Sequence, residues 1–113
     1  MKKLRAELLK RGFDQAIPIA SSLKKKDPSF NLSENELNGW GYELLAQKNA
    51  NGAVSILKLN VSLYPKSANA YDSLGEAQEA THNHEEALVS YQKSLRLDPQ
   101  NKHAAARIQA LIN

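Results

Sequence analysis

Apolar and polar positions along this chain follow helical spacing, in short stretches separated by polar, glycine- or proline-bearing breaks. Tyr71, Leu74 and Gln78 fall at i, i+3 and i+7 and so share one helix face. Ala87, Tyr91 and Leu95, at i, i+4 and i+8, form the stripe of a second helix. Gly75 sits beside the first stripe, although a glycine inside a helix costs about 1 kcal/mol relative to alanine. Another helix passing close to the backbone would repay that cost, and the small Ala87 is the expected contact. Pro99 ends the second helix, because the residue before a proline is pushed out of helical geometry. The same set occurs 34 residues earlier as Leu37, Trp40, Gly41, Ala53, Leu57 and Pro65. At that offset Asn35/Asn69, Ala46/Ala80, Asn49/Asn83 and Leu63/Leu97 also coincide. A fixed period in this range is the mark of a stacked repeat architecture. Each unit reads as a helix, a tight turn and an antiparallel helix, which buries both its faces only by stacking on a neighbour.

The pattern extends to both ends. Residues 2–10 are predicted to form a short helix, with Leu4 and Leu8 one turn apart, broken at Arg11-Gly12. Asp14 is the expected N-cap of the next helix, Pro18 lies in its first turn, and Ile17, Ala20 and Leu23 supply its inward stripe. Residues 2–28 thus read as a degenerate first repeat. Three more residues than the period allows separate Pro28 from the next unit, and Phe30 and Leu32 are expected to pin that linker down. Ser33 with Glu36 reads as a capping box. Leu37, Trp40, Leu44 and Leu45 then face inward. Lys48 to Gly52 form the turn, and residues 53–64 the partner helix. Ser67 or Asn69 caps the next helix, which runs to about Thr81, and His82-Asn83-His84 form its turn. Glu85 and Glu86 suit the dipole at the start of the following helix, which ends near Leu97. Residues 102–112 read as a capping helix with Ala105, Ile108 and Ile112 inward.

Residues 34–101 resemble two tetratricopeptide repeats (TPRs). That family's pattern of a large residue, Leu-Gly, an aromatic, Ala, an aromatic, Ala and Pro is met at Leu37, Trp40-Gly41, Ala53, Leu57 and Pro65, and again at Tyr71, Leu74-Gly75, Ala87, Tyr91 and Pro99. Leu44 and Gln78 depart from it at the usual aromatic, and Asn60 and Ser94 at the second alanine. The resemblance implies an all-α fold: a right-handed superhelix of about two and a half repeats (2–28, 34–67 and 68–101) closed by helix 102–112. The stretches Phe30 to Asn38, Gly41 to Leu45 and Tyr64 to Glu76 further resemble a TPR appendage at the C-terminus of bacterial serine hydrolases, esterase-like or beta-lactamase-like. Those enzymes keep their catalytic serine in another domain, so the likeness implies context and no chemistry in this chain. It implies a periplasmic or extracellular place if the hydrolase is exported, and a cytoplasmic one for a free-standing TPR protein.

At 113 residues the chain is one domain's length, and 42% hydrophobic content suits a modest core. With no cysteine, disulfides and thiolate metal sites are excluded and the redox compartment stays open. Arg5, Glu7, Lys10 and Arg11 interrupt any apolar leader after Met1-Lys2-Lys3, and no apolar run approaches a membrane span. Net charge is +3, divided as +5 over residues 1–33 and −2 over 34–113. No aromatic lies among Lys24-Lys25-Lys26 to stack a base, so the basic end reads as a solvated face and no nucleic-acid partner is expected.

No nucleophile elbow, phosphate loop or paired-carboxylate pattern appears, and no catalytic residue or cofactor is assigned. His82 and His84 with Glu85 and Glu86 are the one ligand-like cluster, and His82, His84 and Glu86 the alternative metal or catalytic centre. They occupy a repeat turn that in the other unit has no histidine, so turn residues are the reading adopted. Trp40, Tyr71 and Tyr91 are read as packing, and Tyr42 and Tyr64 as less constrained. The TPR resemblance implies a partner-binding groove lined by the first helix of each unit, here Asn35, Asn38, Tyr42 and Leu45, then Asn69, Asp72, Glu76 and Glu79, then His103, Ala106 and Arg107. The partner is then a protein or peptide. Asparagine amides suit a peptide backbone, Tyr42 offers an apolar platform, and Asp72, Glu76 and Glu79 make one end acidic. Some TPR proteins grip a chaperone's C-terminal carboxylate with a lysine/asparagine/arginine clamp. Of the matching positions Asn38, Tyr42, Ser73 and Arg107, only Arg107 fits, so that ligand is not expected.

Overall fold

The computed structural model describes residues 1–113. Seven α-helices follow one another with no strand: α1 (Lys2–Arg11), α2 (Ala16–Lys26), α3 (Glu34–Ala46), α4 (Ala50–Leu63), α5 (Ala68–Ala80), α6 (His84–Leu97) and α7 (Lys102–Ile112). Apart from α2 and α3, successive helices pack on one another, in a body of 46 × 26 × 18 Å. The all-helical repeat architecture expected from the period is therefore the one observed. No helix is long and apolar enough to cross a membrane.

The turns of the two central units share one solution. Lys48 and His82, 34 residues apart, both adopt the left-handed conformation, with φ of 62° and 64°. After each first helix the same pair of bonds forms. Lys48 N–H donates to Leu45 O and Asn49 N–H to Leu44 O; His82 N–H donates to Glu79 O and Asn83 N–H to Gln78 O. This is the Schellman closure, which satisfies the last carbonyls of the helix. His82 is thereby placed as a turn residue by its backbone.

The starts of the helices obey capping chemistry. Ser33, Asn49, Ser67 and Asn101 each accept a backbone N–H three residues on, at 3.0–3.1 Å. At Ser33 the return bond of a full capping box, from its own N–H to the Glu36 carboxylate, is not made. Asn49 starts α4 at Ala50, three residues earlier than expected. Asp14 does not cap α2. Gly12, at φ +104°, turns the chain into a 3₁₀ turn, Phe13–Gln15, that runs straight into the helix, and Asp14 is spent inside it.

The glycine notches are filled by larger side chains than the Ala87 expected at Gly75. A Cβ on Gly75 would lie 2.7 Å from Cε1 of Tyr91, and one on Gly41 2.6 Å from Cδ2 of Leu57. The knobs that fill the glycine notches are thus Leu57 and Tyr91, and Ala87 is not among these contacts. The departures at the second alanine also have a purpose. The Asn60 amide donates to Glu34 O at 3.2 Å and the Ser94 hydroxyl to Ala68 O at 2.7 Å. Each ties its helix to the first residue of its partner. Gln78, at the usual aromatic position, is buried and accepts the Ser90 hydroxyl at 2.5 Å.

One apolar cluster runs from Leu4 and Leu8 through Leu37, Trp40, Leu44, Ile56 and Leu57 to Leu74 and Ala77. A smaller one joins Ala87, Tyr91 and Ala104, with Ile108 and Leu111 against it. Leu45 is half-buried at the edge of the larger cluster. Two expected stripes shift. On α2, Ala16, Ile19 and Ala20 are buried and Ile17 is 48% exposed. On α7, Ala104, Ile108 and Leu111 face the body, Ala105 is half-buried and Ile112 is 56% exposed. The Asn101 cap sets that register by seating Ala104 beside Tyr91. Phe30 and Leu32 do pin the linker: Leu32 is buried, Phe30 packs on the same cluster, and the Tyr64 hydroxyl donates to Leu32 O.

Candidate functional site

The candidate residues lie on α3, α5 and α7, the first helices of their units. Tyr42 stands one period before Glu76, and adjacent first helices bring equal positions together. The Tyr42 hydroxyl donates to Glu76 Oε1 at 2.9 Å and accepts from the Ser73 hydroxyl at 3.2 Å. Burial and the neighbouring Glu76 carboxylate push the Tyr42 phenol up to about 12, so it stays a donor at neutral pH. The residue as a whole remains 38% exposed.

Between α5 and α7 the contacts are polar and aromatic, with one ion pair, Arg107–Glu79. His103 Nδ1 lies 2.7 Å from Asp72 Oδ1, and Nε2 lies 3.8 Å from Glu76 Oε1. Asn101 holds the other Asp72 oxygen at 3.1 Å, while its own Oδ1 caps α7. The Tyr91 ring meets His103 edge-on, with centroids 6.0 Å apart. Arg107 forms a two-pronged pair with Glu79, at 2.8 and 2.5 Å, and the Tyr91 hydroxyl donates to the same carboxylate at 2.7 Å. The guanidinium holds the Glu79 carboxyl below its usual range, and burial raises the Tyr91 phenol.

The structure thus joins Tyr42, Asp72, Glu76 and His103 in one polar network and Arg107 with Glu79 and Tyr91 in a second, and the two meet at the Tyr91–His103 ring contact. Asn35 and Asn69 stay outside both, exposed at the helix starts. Asn38 is half-buried, and its Oδ1 is enclosed with no partner. Ala106 is exposed.

Asp72, Glu76 and His103 bring a ligand atom each within 4.8 Å of one another and form the one group with the donor set for a metal ion. The alternative centre of His82, His84 and Glu86 is not assembled. Its imidazoles are 6.3 Å apart at the centroids, and the three side chains form no such group.

Two contributors escaped the sequence reading. Asn101 reads as plain linker, yet it stands one period after the caps' shared position at Ser33 and Ser67. Arg5 lies 4.6 Å above the Trp40 ring and 2.8 Å from Glu43, joining α1 to α3. No spacing announces that pair, because residues 27–33 break the period between them.

Residues 68–101 match the family described as Tetratricopeptide repeat. No curated protein matches the chain. Among solved structures, the fold is similar to the first TPR of Spaghetti (RPAP3) bound to the HSP90 peptide SRMEEVD. The TM-score is 0.68 at 23% identity, covering 98% of this chain and 86% of that one. The first TPR domain of human RPAP3 gives 0.69 at 23% identity, with 98% and 85% covered. The Arabidopsis OM64 TPR domain gives 0.66 at 20%, with 97% and 88% covered. Family match and fold agree with the period in the sequence: residues 68–101 match the tetratricopeptide repeat, and the fold of the whole chain is similar to that of solved TPR domains.

Proposed function

We propose that this chain is a non-catalytic protein–protein interaction module that takes a peptide or partner protein along the surface of α3, α5 and α7. The observation that carries this reading is the fixed polar lattice there. Tyr42, Glu76, Asp72, His103 and Asn101 are held by one another at 2.7–3.8 Å, with the Tyr42 ring and the Asn35 and Asn69 amides left exposed beside them. A surface ordered before binding loses less side-chain freedom when it binds. The exposed amides suit a peptide backbone, and the ring suits an apolar side chain.

A structural neighbour binds the HSP90 peptide SRMEEVD. Here Arg107, the one clamp residue of the right type, is already paired by both prongs with Glu79, and Asp72 and Glu76 stand nearby. An acidic tail would meet carboxylates, so the proposed ligand is of another kind.

The test is selection of a displayed random-peptide library on the native chain. Tyr42→Ala with Asp72→Arg serves as the counter-target. Peptides retained by the native chain and lost on the variant support the reading. Peptides held equally by both, or no enrichment, overturn it. A second reading makes the chain an accessory domain packed against a serine hydrolase. It draws on the half-exposed Ile17 and Leu63, an apolar surface on the other helices that a neighbouring domain would cover.

A further inference from the structure

An apolar cleft of about 440 Å³ opens between α2 and α4, on the second helices of their units and away from the groove. Ile17 and Ala20 form one wall, Leu59 and Leu63 the other, and Phe30 and Leu32 of the linker its end. Ile17 and Leu63 are 48% and 47% exposed, so the cleft holds the mouth of an apolar surface that the fold itself leaves uncovered. The only charged residues lining it are Lys24 and Lys25.

Three of the linker's carbonyls at this place, those of Pro28, Phe30 and Leu32, are already used. The Lys24 ammonium donates to Pro28 O and Phe30 O, both at 2.8 Å, and the Tyr64 hydroxyl donates to Leu32 O. The other walls are helices, whose backbone groups bond internally. An extended strand would therefore find few main-chain partners here. A helix brings its own backbone bonds satisfied and needs only side-chain complementarity. Ile17, Ala20 and Lys24 lie on one face of α2 over about 10 Å, a length of two helical turns. Lysines with no acid among the lining residues select carboxylates beside the apolar anchors.

We propose that this cleft docks an acidic amphipathic helix of a partner protein. Two apolar side chains one turn apart enter between α2 and α4, and a carboxylate of the same helix pairs with Lys25. The proposal is independent of the groove reading, since it uses other helices.

The probe is a capped synthetic helix of about 15 residues, with Leu at i, i+4 and i+7 and Glu flanking them, beside a twin with Lys for Glu. Both are titrated into the full chain by calorimetry and by amide NMR. The expected result is saturable binding of the Glu helix, with shifts confined to α2, the linker and the end of α4. Ile17→Glu or Leu63→Glu is expected to weaken it about tenfold or more. Lys25→Glu is expected to weaken the Glu helix and strengthen the Lys twin. These three positions are exposed, and unchanged melting checks that each variant is folded. No saturable binding, equal binding of the twin, or shifts confined to α3, α5 and α7 would each overturn the proposal. So would anionic phospholipid vesicles binding the chain through Ile17 and Leu63 while the Glu helix does not.

Discussion

Helix α4 has a neighbour on each side and meets them differently. Toward α5 it packs along its length. Ala53, Ile56, Leu57 and Leu59 share one apolar cluster with Leu74 and Ala77, and the first helices above are tied by Tyr42 and Glu76. Toward α2 the contact is brief, and an open cleft remains between Ile17 and Leu63. The cause is the connection. Residues 64–67 join α4 to α5 and residues 98–101 join α6 to α7, whereas residues 27–33 join α2 to α3. Three added residues release the first hairpin from the period, and Phe30, Leu32 and the Lys24 bonds then fix it in its own position. Strict spacing closes a joint between repeats, and an insertion turns the same kind of joint into surface.

The sharpest way to break this comparison is to remove the two buried aromatics. Tyr91→Ala is expected to cost about 4 kcal/mol of unfolding free energy, measured by urea melts, and to act on the whole closed stack. Trp40→Ala carries a similar cost of about 4 kcal/mol. Its ring touches Phe13 and Arg5, so amide exchange in α1 and α2 is expected to rise before that in α5 and α6. Uniform exchange would contradict a separately attached first hairpin.

The glycine notches come next. Gly75→Ala drives a methyl into the rigid ring of Tyr91, and Gly41→Ala meets the flexible end of Leu57. The first is expected to destabilise by about 2 kcal/mol, the second by less, since overpacking is offset by helix propensity. Equal melting shifts would show that ring and methyls yield alike.

Smaller still is the second-alanine position. Ser94→Ala removes bonds to Ala68 O and Asn101 and is expected to cost about 1 kcal/mol. Asn60→Ala loses one bond but also deletes a buried, unpartnered Oδ1, so its cost is expected to be lower.

Acid acts on the α5–α7 joint. The carboxyl of Glu79 is held low by Arg107, so its contribution is present above the ordinary value of 4.5 and is lost as pH falls through the depressed one. Glu79→Gln is expected to flatten the stability–pH profile in that acid window and to leave the slope above pH 6 unchanged. The smallest expected effect is at the turns. His82→Gly and Lys48→Gly each relieve a left-handed side chain and are expected to stabilise by about 0.5 kcal/mol, read in thermal melts.

Much of this architecture was legible in the chain itself. The 34-residue offset alone gave two hairpins, their turns and their prolines, because stacked units must bury the same positions each time. The groove positions implied by the TPR resemblance included Tyr42, Asp72 and Glu76, which the structure brings into one network through His103, and Arg107, which it pairs with Glu79 beside them. The resemblance missed how they are engaged. That Arg107 closes on Glu79, and that Asn101 fastens Asp72, depends on the reach between neighbouring helices, which a one-dimensional period does not encode.

The ends show the limit most clearly. Sequence by itself determined the helix count, the repeat, the N-cap at Ser33, and the helical nature of both ends, since propensity and spacing are local properties. Tertiary structure alone decided which face of an end helix is buried. Ile19 took the inward place expected for Ile17, and Ala104 and Leu111 took those expected for Ala105 and Ile112. In each case two apolar faces lay within one turn of each other and helical periodicity permitted both. The choice fell to the neighbour against which the helix docks: α1 and the pinned linker at one end, Tyr91 at the other.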